Sequence, residues 1–383
     1  MKNIPFIILV IFMLSFTMCK QETRIKKEDN VIQVDLDNPE KASLFDYFRS
    51  IELIPLETTP DVLVKGFTKM VVHQGNYYAL DKPQSIIFAF DPTGKCLFKI
   101  DKKGQGVGEY SFIEDFIINP YNGYLELLEP YGGEIHQFDL SGNYVESKRI
   151  TYPGFRVAHS LAALDTSVYV FHSYFEPKKI TYYNLTEQEL LHEEFEEDES
   201  IGSFSRVPYP YKDNWFFFRP FHPIVYRLGK EKLEPVFQFD FGKYATEGRT
   251  ATLSKESQRN FTRQTEEMFD QFSYMIHSVR HNQKYVLASL CWKDYDHKGN
   301  IFYNKETGET KYVLNFDENV WFNSYRGEEV IVTDEYVLMP IQWVDLEKRV
   351  TKDMLDEKQQ AILEELLQAD MEQNPVLIKY YFK

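Results

Sequence analysis

The chain of 383 residues carries 59 acidic against 43 basic side chains, for a formal net charge of −16, and 16% of it is aromatic, with 31 Phe and 26 Tyr. An acidic excess of this size repels a phosphate backbone and excludes general nucleic-acid binding. Hydrophobic residues at 43% exclude wholesale disorder, and the aromatic weight favours strands over helices.

The first signal lies at the N-terminus. Lys2 precedes an apolar run over residues 6–14, nine residues long. A bilayer core needs about 20, so the run reads as an export signal rather than a transmembrane helix. Cys19 follows, and the segment resembles the lipobox of bacterial lipoproteins, with Met18 where that pattern has a small residue. The resemblance implies a signal peptide over 1–18, a diacylated Cys19 and attachment to the cell envelope, with the outer membrane expected. A simply cleaved signal with Cys19 incidental is the alternative. Residues 19–30 mix lysines and acids, the composition of a solvated tether.

Beyond residue 30 a turn motif recurs. Phe90-Asp91-Pro92-Thr93-Gly94 and Phe138-Asp139-Leu140-Ser141-Gly142 lie 48 residues apart. Weaker copies start at Tyr183, Tyr226 and Tyr303, with offsets of 45, 43 and 77. Asp or Asn bonds to the backbone two residues on, and Gly supplies positive φ, so each copy predicts a hairpin. Another strand pair precedes most copies, as at 77–81 with 86–90 and at 285–290 with 301–303. Four strands per period of roughly 45 residues is the footprint of a propeller blade.

The long last offset falls on the polar stretch 243–272, which reads as a helix or insertion between the fourth and fifth blades. A sixth blade is expected from strand-like segments at 31–36, 51–54, 329–339 and 376–382, so that the two chain ends meet in one blade and close the ring. Within 346–372, Met354, Ile362, Leu363, Leu366 and Leu367 recur at helical spacing and predict a surface helix. The expected fold is therefore all-β, a six-bladed β-propeller over 31–383.

Ile54-Pro55-Leu56-Glu57-Thr58, the stretch from Lys103 through Gly104, Gly106 and Gly108 to Tyr110, Phe239-Asp240-Phe241-Gly242 and Asn374-Pro375-Val376-Leu377 together resemble the six-bladed β-propeller lipoproteins of Bacteroidetes, akin to NHL-repeat propellers. That resemblance implies a ring, export and lipid anchoring. It implies no activity, because a shared fold does not carry one.

Candidate chemistry is sparse. The Gly104–Gly108 loop lacks the Lys-Ser/Thr ending of a phosphate loop and reads as an inter-blade turn. His277 and His281 are four apart in a strand-like segment, a separation of about 13 Å, too wide for one metal. His73, His136, His159, His172 and His222 are scattered without ligand spacing, so no cofactor is expected, a divalent ion in the central channel being the alternative. The acidic run 193–199 reads as a solvated loop. Whether Cys96 and Cys291 pair is left open.

The richest aromatic cluster includes Tyr209, Tyr211 and Trp215, with Arg206, Arg219 and His222 interspersed. Aromatics beside cations stack on sugar rings or peptide groups at a channel mouth, so these six are the candidate ligand-binding residues. No nucleophile elbow is present. The expected function is a non-enzymatic, lipid-anchored envelope module that binds a glycan, a peptide or a protein partner, or serves as a scaffold. A metal-assisted lactonase or a carbohydrate-cleaving propeller enzyme is the alternative.

Overall fold

The computed structural model describes residues 30–173, 178–196, 207–245, 254, 261–294, 296–318, 320, 322, 330–369 and 373–383. Three strands come first: β1 (Val31–Gln33), β2 (Glu40–Ala42) and β3 (Phe48–Pro55). The first blade follows as β4 (Phe67–His73), β5 (Asn76–Asp81), β6 (Ile86–Phe90) and β7 (Cys96–Ile100). The second is β8 (Asp115–Ile118), β9 (Leu125–Glu129), β10 (Glu134–Phe138) and β11 (Tyr144–Arg149), and the third β12 (Ser160–Ala163), β13 (Val168–His172), β14 (Lys178–Asn184) and β15 (Glu189–Glu196).

The fourth blade is β16 (Tyr209–Tyr211), β17 (Asn214–Phe218), β18 (Ile224–Leu228) and β19 (Leu233–Asp240). Helix α1 (Phe261–Phe272) precedes the fifth, β20 (Tyr274–His281), β21 (Tyr285–Trp292), β22 (Lys298–Asn304) and β23 (Thr310–Phe316). The sixth holds β24 (Ile331–Val332) and β25 (Tyr336–Ile341), then α2 (Leu346–Arg349), α3 (Glu357–Leu367) and β26 (Val376–Phe382). Each blade is four antiparallel strands from inner to outer, and the six form a β-propeller ring. Among the described residues no helix is long and apolar enough to cross a membrane.

Closure is made by β3, the outer strand of the sixth blade, whose register runs from Phe48 opposite Phe382 to Pro55 opposite Val376. This explains why the turn motif occurs five times: in the sixth blade the connection from third to fourth strand is the chain's own two ends. Two N-terminal segments differ from expectation. β1 pairs parallel with β19 on the rim of the fourth blade, and β2 parallel with β23 on the rim of the fifth, so 31–36 contributes nothing to the sixth. The N-terminal segment therefore covers three consecutive rim edges, where exposed backbone groups would otherwise invite pairing with another chain.

Apolar burial lies between blades. Ile54, Met70, Tyr77, Phe88, Leu338 and Leu377 seal the sixth against the first, and Phe48, Phe302, Phe322 and Tyr380 join the fifth to the sixth. Gly94 shows how tightly the closure packs: its φ is +88°, and a Cβ there would lie 2.1 Å from the Pro55 carbonyl oxygen. Asn374 clamps the crossing loop, accepting from Val64 N–H at 2.9 Å and donating to the Glu57 and Val62 carbonyls at 2.7 Å each. α3 covers the outer edge of β3, where Gln359 accepts from Leu53 N–H at 2.7 Å. Cys96 and Cys291 are not joined by a disulfide.

Candidate functional site

The innermost strands are edges: their outward sides pair within the blade and their inward sides face the channel. Between them lies a cavity of about 480 Å³, bordered by β4, β8, β16, Arg280 of β20 and β24. Its closed end is an ion pair. Lys69 Nζ lies 2.6 Å from Asp115 Oδ1, while Asp115 Oδ2 accepts from Leu161 N–H at 2.9 Å, so one buried carboxylate ties the inner strands of the first three blades. Buried charges of opposite sign hold each other only when their remaining bonding capacity is also met, and the Leu161 N–H meets part of it.

The open end is formed by the loops between first and second strands. In the two-residue turn after Tyr211, Lys212 adopts φ +52°, a left-handed conformation that a lysine takes only at a cost of about 1–2 kcal/mol. The turn sets Lys212 and Asp213 at the mouth. Asp334 faces them from the sixth blade, accepting from the Tyr211 hydroxyl and the Gln283 N–H at 2.8 Å each. Burial acts to raise the Asp334 carboxyl, but those two donors and Lys212 outweigh it and hold the group below its ordinary value. Arg280 lies 4.6 Å over the Tyr209 ring and donates to the Val330 and Val279 carbonyls, which fixes it on the wall. The site thus has an apolar body and both signs of charge at its rim.

Of the six candidate ligand-binding residues, the structure brings Tyr209, Tyr211 and Trp215 together on this cavity. Tyr209 and Trp215 are only 2% and 5% exposed, so their ring faces are closed. Arg219 and His222 lie beyond the other end of β17, His222 beside Phe272 of α1, and do not join the cavity. Burial and Arg219 push the His222 imidazole well below its usual value. Arg206 and Cys19 lie outside the described residues.

Lys69, Asp115, Arg280 and Asp334 escaped sequence reading, because each is an isolated charge in a different blade and only the ring assembles them. His277 and His281 share β20 but serve different contacts: His277 Nε2 lies 3.2 Å from Cys291 Sγ, and His281 Nδ1 lies 3.2 Å from the Tyr209 hydroxyl. The Gly104–Gly108 loop connects the first blade to the second, and Gly106 N–H donates to the chain's own Glu109 at 2.8 Å. In the acidic run, Glu193 and Glu194 lie on β15 and 197–199 fall outside the described residues.

Among curated proteins nothing matches the chain. Solved structures do. An inferred exported protein of Bacteroides fragilis shares 16% identity, with a TM-score of 0.64 over 92% of this chain and 99% of that one. A member of the DUF4221 family from Bacteroides vulgatus shares 12%, with a TM-score of 0.55 over 88% and 97%. At such identities the likeness shows a common fold. The fold and the Bacteroides relatives agree with the resemblance read from the sequence, and with its model matching residues 29–381 the chain belongs to the family described as a domain of unknown function, DUF4934.

Proposed function

We propose that the protein is a binding module of the cell envelope whose channel cavity takes a short peptide segment. The observation that carries this reading is the cavity of about 480 Å³, within the range of small-ligand sites, with Tyr211, Lys212, Asp213 and Asp334 at its open end. Three features favour a peptide over a glycan. The inner strands offer edge backbone groups to the channel, the means by which an extended peptide is captured. The closed faces of Tyr209 and Trp215 leave little platform for stacking a sugar. Charges of both signs at the rim suit a peptide's paired donors and acceptors.

Placement at the envelope rests on the apolar run at 6–14 and on Cys19 as lipid attachment point. It is consistent with the name of the Bacteroides fragilis protein of like fold. The test is a melting-temperature screen of the full chain against defined peptide and glycan panels, since a ligand of the native state raises apparent stability. Peptide hits that weaken at least about tenfold in Tyr211→Ala support the reading; hits confined to glycans, or peptide hits indifferent to Tyr211, overturn it.

A further inference from the structure

A second cluster lies away from the channel, in the second blade. Glu129 ends β9 and stands directly opposite Glu134, the first residue of β10. His136 is two residues further along β10, so all three side chains share one face of the sheet. One ligand atom from each lies within 4.8 Å of the other two. Glu129 and His136 are buried, 5% and 1% exposed, and Glu134 is half-buried.

Two carboxylates directly opposite each other destabilise a strand pair. No Lys or Arg among the described residues relieves this pair: Arg149, across from Glu134 on β11, forms no ion pair with it, and the Glu134 carboxylate has no hydrogen-bond partner. The two buried side chains, in contrast, are held from behind. Ser111 donates its N–H to Glu129 Oε1 at 2.7 Å, and its hydroxyl to the same atom. Ser147 Oγ lies 2.8 Å from His136 Nδ1, with the Tyr144 hydroxyl 3.0 Å from Ser147 Oγ. What remains pointing inward is Glu129 Oε2 and His136 Nε2, 2.7 Å apart, facing Glu134.

An outer layer that fixes the far atom of each ligand is what protein metal sites show. The backbone has made room for it. A Cβ on Gly132 would come within 2.7 Å of the Glu129 carboxylate, and the segment after the Gly104–Gly108 loop closes the cluster, with the Tyr110 ring 6.0 Å from that of His136.

We propose that Glu129, Glu134 and His136 form a site for one divalent transition-metal ion, zinc being the ion this donor set suits. One imidazole and two carboxylates are borderline-hard ligands, and three protein donors with an open fourth position match a zinc centre. The ion takes the place of the hydrogen between His136 Nε2 and Glu129 Oε2, and the single ring proton sits instead on Nδ1, where Ser147 Oγ accepts it. Net charge at the cluster then changes from two uncompensated carboxylates to balance.

The test uses the full chain without a histidine tag, treated with chelator and titrated calorimetrically with zinc chloride alone. Expected is one ion per chain. Glu134→Gln, which disturbs no partner, is expected to lower affinity at least about tenfold while leaving the metal-free melting temperature unchanged. Absence of saturable one-to-one binding overturns the proposal, as does binding that Glu134→Gln and His136→Asn leave untouched.

Discussion

Replacing Lys69 by Met leaves Asp115 as a buried charge with only the Leu161 N–H beside it, and replacing Asp115 by Leu strands Lys69 in the same way. Breaking a buried pair from one side costs about 3–5 kcal/mol, because the surviving charge stays desolvated. In the double replacement no charge is left. The remaining loss is the Leu161 N–H without its acceptor, about 1–3 kcal/mol. The double variant is therefore expected to be more stable than either single one, a large non-additivity between residues in contact. Urea unfolding followed by tryptophan emission measures all four members of the cycle. If the double variant loses as much as the two single losses added together, the pair does not close the channel as described.

Other consequences follow from single residues. Gly94→Ala is expected to destabilise more than Gly308→Ala: both hold positive φ, worth about 1–2 kcal/mol, but a Cβ on Gly308 meets nothing within 4 Å whereas on Gly94 it strikes Pro55. Equal losses in unfolding midpoint would contradict the packing of the closure. Asn374→Ala removes one acceptor and two donated hydrogen bonds at a buried position, a loss of roughly 2–4 kcal/mol in the same measurement. His281 is held neutral by burial, helped by Lys305 and Arg280, its pKa lowered from 6.5 to about 3. The unfolded chain takes up that proton first. Its contribution is thus complete above pH 6.5 and is lost as pH falls toward 3, and His281→Gln should flatten the stability-against-pH slope by about one proton, most visibly between about pH 5.5 and 4.

The architecture was legible because the hairpin turn from third to fourth strand needs Asp or Asn and often Gly, as at Asp91 and Gly94 or Asp139 and Gly142, and so it prints itself once per blade. The extra rim strands were not. Val31–Gln33 alternates like any half-exposed strand, and nothing local says which sheet it will join; the parallel partner Gln238–Asp240 is about 200 residues away. The aromatic half of the cavity could be read, since Tyr209, Tyr211 and Trp215 sit within one hairpin and share a neighbourhood by covalent connection alone. Arg219 and His222 belong to the same stretch of sequence, but β17 carries them to the opposite face. Glu129, Glu134 and His136 follow no ligand template in sequence, because the register of β9 against β10, not spacing along the chain, places them together.

Hydrogen–deuterium exchange of the full chain with and without its best peptide ligand tests the channel assignment most directly. Protection should concentrate on the inner strands Phe67–His73, Asp115–Ile118, Tyr209–Tyr211 and Ile331–Val332. Protection confined instead to the segment around Arg219 and His222, or to the rim strands, would contradict it.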